Sequence, residues 1–130
     1  AVYKITGKNT VEYVKCNVNK NKVSIPQKIM INGVSYQVTS IAAKAFKANK
    51  KIRSIVIPST IRKIGKQAFL NCKNLKKITL KTLYLSKKAI GAKAFKGIHK
   101  KATIKVPKKQ KKAYQKLLKS KGVGKKAKIK

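Results

Sequence analysis

A cysteine thiol activated by a histidine is the one nucleophile–base pair this 130-residue sequence can assemble, since it holds a single His, His99, and two Cys, Cys16 and Cys72. Such a pair works only within hydrogen-bond reach and with a third group to orient the base. Glu12 is the sole acidic residue, so a carboxylate dyad for acid–base work is excluded. The same shortage removes hard-cation sites, which need clustered oxygen ligands. One His and two Cys are too few for a structural zinc site. No G-x-S-x-G, P-loop or G-x-G-x-x-G occurs. Gly122-Val123-Gly124-Lys125 is too short for a phosphate loop and lacks the preceding strand. The expectation is a protein that is not an enzyme and carries no cofactor and no metal.

What remains is lysine. Of 36 basic residues, only Arg53 and Arg62 are arginines, and the formal net charge is +35. Base reading and bidentate phosphate recognition lean on the planar guanidinium. Lysine is a point charge on a flexible stem, suited to solubility and loose attraction to polyanions. The charge is uneven, with a net of +5 on residues 1–40 and +30 on residues 41–130. Any electrostatic surface therefore belongs to the second part.

The elements that position these groups follow from an internal repeat. Ala-Phe occurs at Ala45-Phe46, Ala68-Phe69 and Ala94-Phe95, at steps of 23 and 26 residues. Ile41, Ile64 and Ile90 each stand four residues before the Ala, and Gly65 and Gly91 follow two of them, with Ala42 in that place in the first copy. Short alternating runs recur at Ile55-Val56-Ile57-Pro58, Ile78-Thr79-Leu80-Lys81 and Ile104-Lys105-Val106-Pro107, with an earlier copy at Val23-Ser24-Ile25-Pro26. Between the first two of these copies, Met30–Tyr36 reads as a hairpin turning at Asn32-Gly33. A repeat this short cannot bury its own apolar face, so it must stack on its neighbours. The spacing predicts a strand such as Arg53–Ile57, a turn at the Pro, an extended piece ending at Ile-Gly, and one helical turn at Ala-Phe. It predicts ladders of Phe46, Phe69 and Phe95, of Ile41, Ile64 and Ile90, and of the strand pairs Ile55/Ile57, Ile78/Leu80 and Ile104/Val106. Cys72 falls in an interior slot, where a buried free thiol is expected. His99 falls one position past that slot in the next copy and should point outward. Two cysteines make no disulfide framework, and they neither demand nor exclude an oxidising compartment.

The segment from Ile61 to Leu80 resembles a BspA-type leucine-rich repeat. That pattern is Ile-Gly-x-x-Ala-Phe-x-x-Cys-x-x-Leu-x-x-Ile-x-Ile-Pro, and Ile64, Gly65, Ala68, Phe69, Cys72, Leu75, Ile78 and Leu80 match it. Lys81 stands where Pro is usual. Asn49 and Ile98 replace the Cys in the other copies. The resemblance covers about residues 22–107. It implies an α/β leucine-rich-repeat solenoid, a right-handed β-α superhelix. It further implies a bacterial protein that is secreted or on the cell surface, often a module of a longer chain, associated with adhesion. No residue-level binding motif comes with it.

The flanks read as caps on a single domain, 1–130. In residues 1–40, which include the first solenoid strand, Val2, Ile5, Val11, Tyr13, Val23 and Ile25 alternate between breakers, suggesting two hairpins. Residues 41–107 carry the repeats. Residues 108–130 form a Lys-rich cap with a helix over 108–121, stopped at Gly122. Val123 and Ile129 are placed to fold back, and Lys125–Lys130 to fray. The longest uncharged stretch, Ile29–Ala43, is 15 residues, short of the roughly 20 apolar residues of a membrane span. The opening Ala-Val-Tyr-Lys, with no Met and no signal segment, reads as part of a longer or processed chain.

Two surfaces are candidates for binding. The concave strand face presents Val56, Thr79 and Lys105 for a protein partner, with Ser24 in line and Ser54, Lys77 and Thr103 flanking. The second surface is columnar: Lys50, Lys73 and His99 share one repeat phase, Lys51, Asn74 and Lys100 the next, and Lys47, Leu70 and Lys96 a third. Of these, Lys50, Lys51, Lys73 and Lys100 are the candidate polyanion-binding residues. The functional expectation is a non-enzymatic surface module that mediates adhesion or retention, holding anionic wall or host polymers, or a host or surface protein. The alternative is a basic nucleic-acid-binding protein. Against it, Arg is scarce and Tyr3, Tyr13, Tyr36, Tyr84 and Tyr114 form no evident stacking platform.

Overall fold

A computed structural model describes residues 1–130. The chain winds between two five-stranded sheets. The first holds β1 (Val2–Ile5), β2 (Thr10–Lys15), β4 (Lys28–Ile31), β5 (Val34–Ile41) and β7 (Lys63–Ile64). The second holds β3 (Lys22–Ser24), β6 (Ser54–Ile57), β8 (Lys77–Leu80), β9 (Thr103–Lys105) and β10 (Lys128–Ile129), all parallel. Each circuit contributes one extended piece to each sheet. Ile55, Ile78 and Ile104 stand in one register on the second sheet. Ile41, Ile64 and Ile90 stand in one register on the first. All six are at most 1% exposed, which is what identical phase in a stacked core demands.

The aromatic rungs stack as the repeat predicts. Phe46 and Phe69 lie 4.9 Å apart at 13°, and Phe69 and Phe95 5.3 Å apart at 8°. Tyr13 lengthens the stack, at 5.3 Å and 7° on Phe46, and Tyr3 closes it edge-on at 5.5 Å and 87°. Tyr3 and Tyr13 pack against each other inside this stack, with Tyr13 buried, so they present no platform for bases. The physical reason is that β2 pairs in parallel with β5, setting Tyr13 beside Ile41, so β2 is already a rung of the stack.

The Ala-Phe segments are not helical turns. Lys44, Ala48, Gln67, Asn71 and Lys93 all have φ between 58° and 61°, the left-handed conformation that ends an α-helix. Each arm instead makes overlapping β-turns, and those spanning Ala42–Ala45 and Phe46–Asn49 carry their positive φ, at Lys44 and Ala48, on the third residue as in type II turns. Their backbone donors alternate in use. Ala45, Lys47 and Asn49 N–H donate back three residues within the arm, to Ala42, Lys44 and Phe46, while Lys44, Phe46 and Ala48 N–H donate to Lys66, Ala68 and Leu70 of the next circuit. A helix would leave no donors for the neighbour, so stacking selects the turns. The repeat circuits consequently contain strands and turns only, and the one α-helix lies beyond them.

Glycine follows from the same close stacking. A Cβ on Gly65 would stand 2.3 Å from Ala43 N, and one on Gly91 2.3 Å from Lys66 N. Ala42 takes the equivalent place in the first circuit because the strand β2, not another turn arm, precedes it.

Before the repeats, β1 and β2 form one hairpin and β4 and β5 another, the latter turning through Asn32 (φ 49°) and Gly33 (φ 79°). Val23 and Ile25 belong to neither hairpin. They lie on and just after β3, which leaves to pair with β6. After the repeats, α1 (Lys111–Ser120) buries Tyr114 and Leu118. Tyr114 Oη donates to Thr82 O (2.8 Å) and accepts Leu85 N–H (3.2 Å), which ties α1 to the loop after β8. Phe95 N–H donates to Lys121 O as Phe69 N–H does to Ala94 O, so the tail continues the stacking. Val123 is buried and Ile129 pairs with Ile104. The tail 125–130 is not frayed as the sequence suggested. Lys128 and Ile129 add a strand, because β9 otherwise leaves an open parallel edge.

Candidate functional site

The thiol and the imidazole are each engaged elsewhere. Cys72 is fully buried and its Sγ donates to Phe46 O at 2.9 Å. Burial pushes its thiol up to about 11, so it stays protonated and poorly nucleophilic at neutral pH. His99 Nδ1 accepts the Lys101 N–H at 3.0 Å, which ties the ring to its own loop. Both cysteines are free thiols, and no group of three or more His, Cys, Asp or Glu is placed to hold a metal ion. Glu12 accepts the Ser40 hydroxyl at 3.1 Å across β2 and β5. No helix is long and apolar enough to cross a membrane.

The lysine columns lie on the turn arms. From Ile41 to Ser54, Ile64 to Lys77 and Ile90 to Thr103, each arm spans 13 residues between the two sheets. Equal arms pinned at both ends keep Lys50, Lys73 and His99 in one phase and Lys51, Asn74 and Lys100 in the next. Lys50, Lys51, Lys73 and Lys100 are exposed. Asn74 and Asn49 have structural work. Asn74 Nδ2 donates to Lys50 O across circuits (2.8 Å), and Asn49 Oδ1 accepts the Lys51 and Ile52 N–H groups.

The strand face is a separate surface. Val56 and Thr79 are half-buried and Lys105 is exposed, all three in one register row with Ser24. The neighbouring row runs Lys22, Ser54, Lys77, Thr103, Lys128. Both rows look away from the Ile55, Ile78 and Ile104 ladder, by the two-residue alternation of strands. An open groove of about 670 Å³ runs over this face, bordered by Arg53 and Lys76. Sequence reasoning treated Lys77 as a flank and missed Lys22 and Lys128. Lys22 shares the phase of Ser54, a signal present in the repeat itself. Lys128 has no such signal, because its place depends on the tail folding onto β9.

One further pairing lies on the loop after β8, where the Arg62 guanidinium sits 4.9 Å over the exposed Tyr84 ring. At an exposed site such a contact is worth about 0.5–1 kcal/mol.

Compared with known proteins, the family described as BspA type leucine rich repeat region matches residues 39–121 in six copies. A leucine rich cell surface protein from Faecalibacterium prausnitzii superposes with a TM-score of 0.62 at 22% identity, covering 82% of this chain and 35% of that one. A leucine-rich repeat protein from Bacteroides ovatus gives 0.58 at 30% identity, covering 81% of this chain and 35% of that one. A leucine-rich repeat protein from Bacteroides capillosus gives 0.62 at 16% identity, over 98% of this chain and 92% of that one. The chain thus spans about a third of the length of the first two. No curated protein matches it.

Proposed function

Since the chain belongs to the BspA-type leucine-rich repeat family, a family of bacterial repeat proteins, we propose that it is a non-enzymatic binding module of a secreted or cell-surface protein. In this reading it is one domain, a right-handed superhelix closed by the β-strands of residues 1–40 and by the helical segment 108–130. Its role is adhesion or retention, with anionic wall or host polymers, or an acidic surface protein, held by the lysine columns. The observation that carries the reading is the net +30 on residues 41–130, with Lys50, Lys51, Lys73 and Lys100 exposed on the turn arms. The surface location is supported by the description of the F. prausnitzii neighbour as a cell surface protein.

Like charges on stacked circuits repel, at a cost of about 1 kcal/mol or less per exposed pair. An anionic polymer relieves that repulsion, so binding and stability are coupled. The test is a titration with heparin, duplex DNA and a teichoic-type polymer at several salt concentrations. Affinity should fall steeply with salt through counterion release, and the polymers should compete on comparable terms. Replacing Lys50, Lys51, Lys73 and Lys100 with Gln should weaken binding of all three, while changing Val56 and Thr79 should not. Affinity that barely responds between about 50 and 200 mM salt would overturn the reading. A strong preference for one DNA sequence would replace it with nucleic-acid recognition.

A further inference from the structure

The second sheet is parallel and bare on its outer side. Parallel sheets are ordinarily covered on both faces, yet here only the Ile55, Ile78 and Ile104 side is packed. What covers the other side must suit its chemistry. Along the first outer row, β-pairing sets Lys22, Ser54, Lys77, Thr103 and Lys128 in register across all five strands. Cation and hydroxyl alternate strictly. Strands stand about 4.8 Å apart, so successive lysines are ~9.6 Å apart with a hydroxyl midway. A second copy of the chain is excluded as occupant, because each carries +35 and one carboxylate.

The period chooses among anionic partners. An extended acidic peptide repeats its same-face side chains every ~6.8 Å, out of step with the row. A nucleic-acid strand places a charge every ~3.4 Å of rise, denser than the row can match. In a linear polysaccharide each linked pyranose ring advances by close to one strand spacing. A polymer that alternates one acidic and one neutral sugar therefore presents a carboxylate to each lysine and ring hydroxyls to Ser54 and Thr103. We infer that the outer face of this sheet binds a linear polysaccharide with one carboxylate per disaccharide, lying across the strands in the groove beside Val56 and Thr79. The inference rests on the binding-module reading but uses a different surface from the lysine columns, and it adds selectivity that the columns lack.

The test uses the full chain and a fluorescent hyaluronan octasaccharide, followed by anisotropy at constant salt. The controls are the same oligosaccharide with its carboxylates reduced to alcohols, an oligogalacturonate with a carboxylate on every ring, and an acidic peptide of equal charge. The alternating oligosaccharide should bind more tightly than each control. Lys77→Gln should weaken it about tenfold, the loss expected for one charged hydrogen bond, and adding Lys22→Gln and Lys128→Gln should abolish it. The Lys50→Gln/Lys73→Gln variant should change it less than about twofold, since exposed charges off the groove act through the screened field alone. Circular dichroism of each variant guards against misfolding. The inference is overturned if the row variants bind the octasaccharide as wild type does, if the column variant loses as much as the row variant, or if oligogalacturonate or the acidic peptide binds equally well. Duplex-DNA binding reads the two proposals apart, because DNA does not match the period of the row, whereas heparin, with one carboxylate per disaccharide, would. If DNA binding persists in the row variants while octasaccharide binding is unaffected by them, the face assignment alone has failed. If no polyanion binds at all, the broader reading has failed too.

Discussion

Placing a methyl group on Gly65 or Gly91 tests the stacking directly. In each case the new Cβ would meet backbone, at 2.3 Å from Ala43 N or from Lys66 N, and backbone cannot swing aside as a side-chain tip can. Ordinary overpacking costs about 1–3 kcal/mol. Relief requires the circuits to part, which stretches the 2.8 Å bonds from Gly65 N–H to Ile41 O and from Gly91 N–H to Ile64 O. An interior donor and acceptor left unpaired add about 1–3 kcal/mol. Gly65→Ala and Gly91→Ala should therefore each cost about 2–6 kcal/mol, against a typical total of about 5–15 kcal/mol. With a urea slope of ~2 kcal/mol/M, the unfolding midpoint should fall by roughly 1–3 M. The assay is urea unfolding followed by far-UV circular dichroism at one fixed salt concentration, because the charge makes stability salt-dependent. The reverse change supplies the control. Ala42→Gly, at the equivalent place without a preceding turn arm, should cost no more than about 1 kcal/mol. A Gly65→Ala loss below about 1 kcal/mol, or an Ala42→Gly loss as large as it, would refute the close-approach reasoning.

The aromatic stack gives a second expectation. Phe69→Ala removes a fully buried ring with a stacked neighbour on each side and should cost about 3–5 kcal/mol. Phe95→Ala, with one aromatic neighbour, should cost less by about 0.5–1.5 kcal/mol, the worth of one ring pair, and equal losses by urea unfolding would contradict the stack. The third concerns alkaline pH. Cys72 rises from 9.0 to about 11 on burial, so the folded state keeps a proton that the unfolded state has lost. Its contribution is whole below pH 9 and disappears as pH climbs through 11. Tyr3, Tyr13 and Tyr114 are raised by burial in the same sense, so the decline should continue above pH 10. Against a background in which lysines discharge, the measurement is the difference between wild type and Cys72→Ala, which should narrow between pH 9 and 11; a constant difference would show that Cys72 ionises alike in both states.

How much of this was written in the sequence depends on periodicity. Phe46, Phe69 and Phe95 and the isoleucine ladders were legible because stacking demands one residue type at one phase. Asn32-Gly33 was legible because both residues tolerate positive φ. The turn arms were misread as helical. Lys44, Ala48 and Gln67 carry no local preference for the left-handed region, and only the hydrogen bonds of the neighbouring circuit impose it. Tyr13 was assigned to a cap because β2 lacks the Ala-Phe signature, although its parallel pairing makes it a rung. The lysine columns were visible as phases, since equal arms preserve phase. The alternating row on the sheet was not, because its last member, Lys128, depends on a tail whose pairing is decided by an open strand edge.

The constancy of the 13-residue arms has a counterpart on the opposite corner. There the path from the second sheet to the first takes 16 residues from Ile25 to Ile41, 7 from Ile57 to Ile64 and 10 from Leu80 to Ile90. The longest carries the hairpin through Asn32-Gly33, the next the loop with Leu83 and Tyr84, and neither disturbs the ring spacings of 4.9 and 5.3 Å. One corner is a gauge and the other a slack seam. Insertions at the seam leave the core untouched, so this is where new loops can be grafted and where related chains are free to diverge in length. A single-residue deletion in an arm would put that circuit out of phase with its neighbours, and so break the column and strain the row at that one circuit.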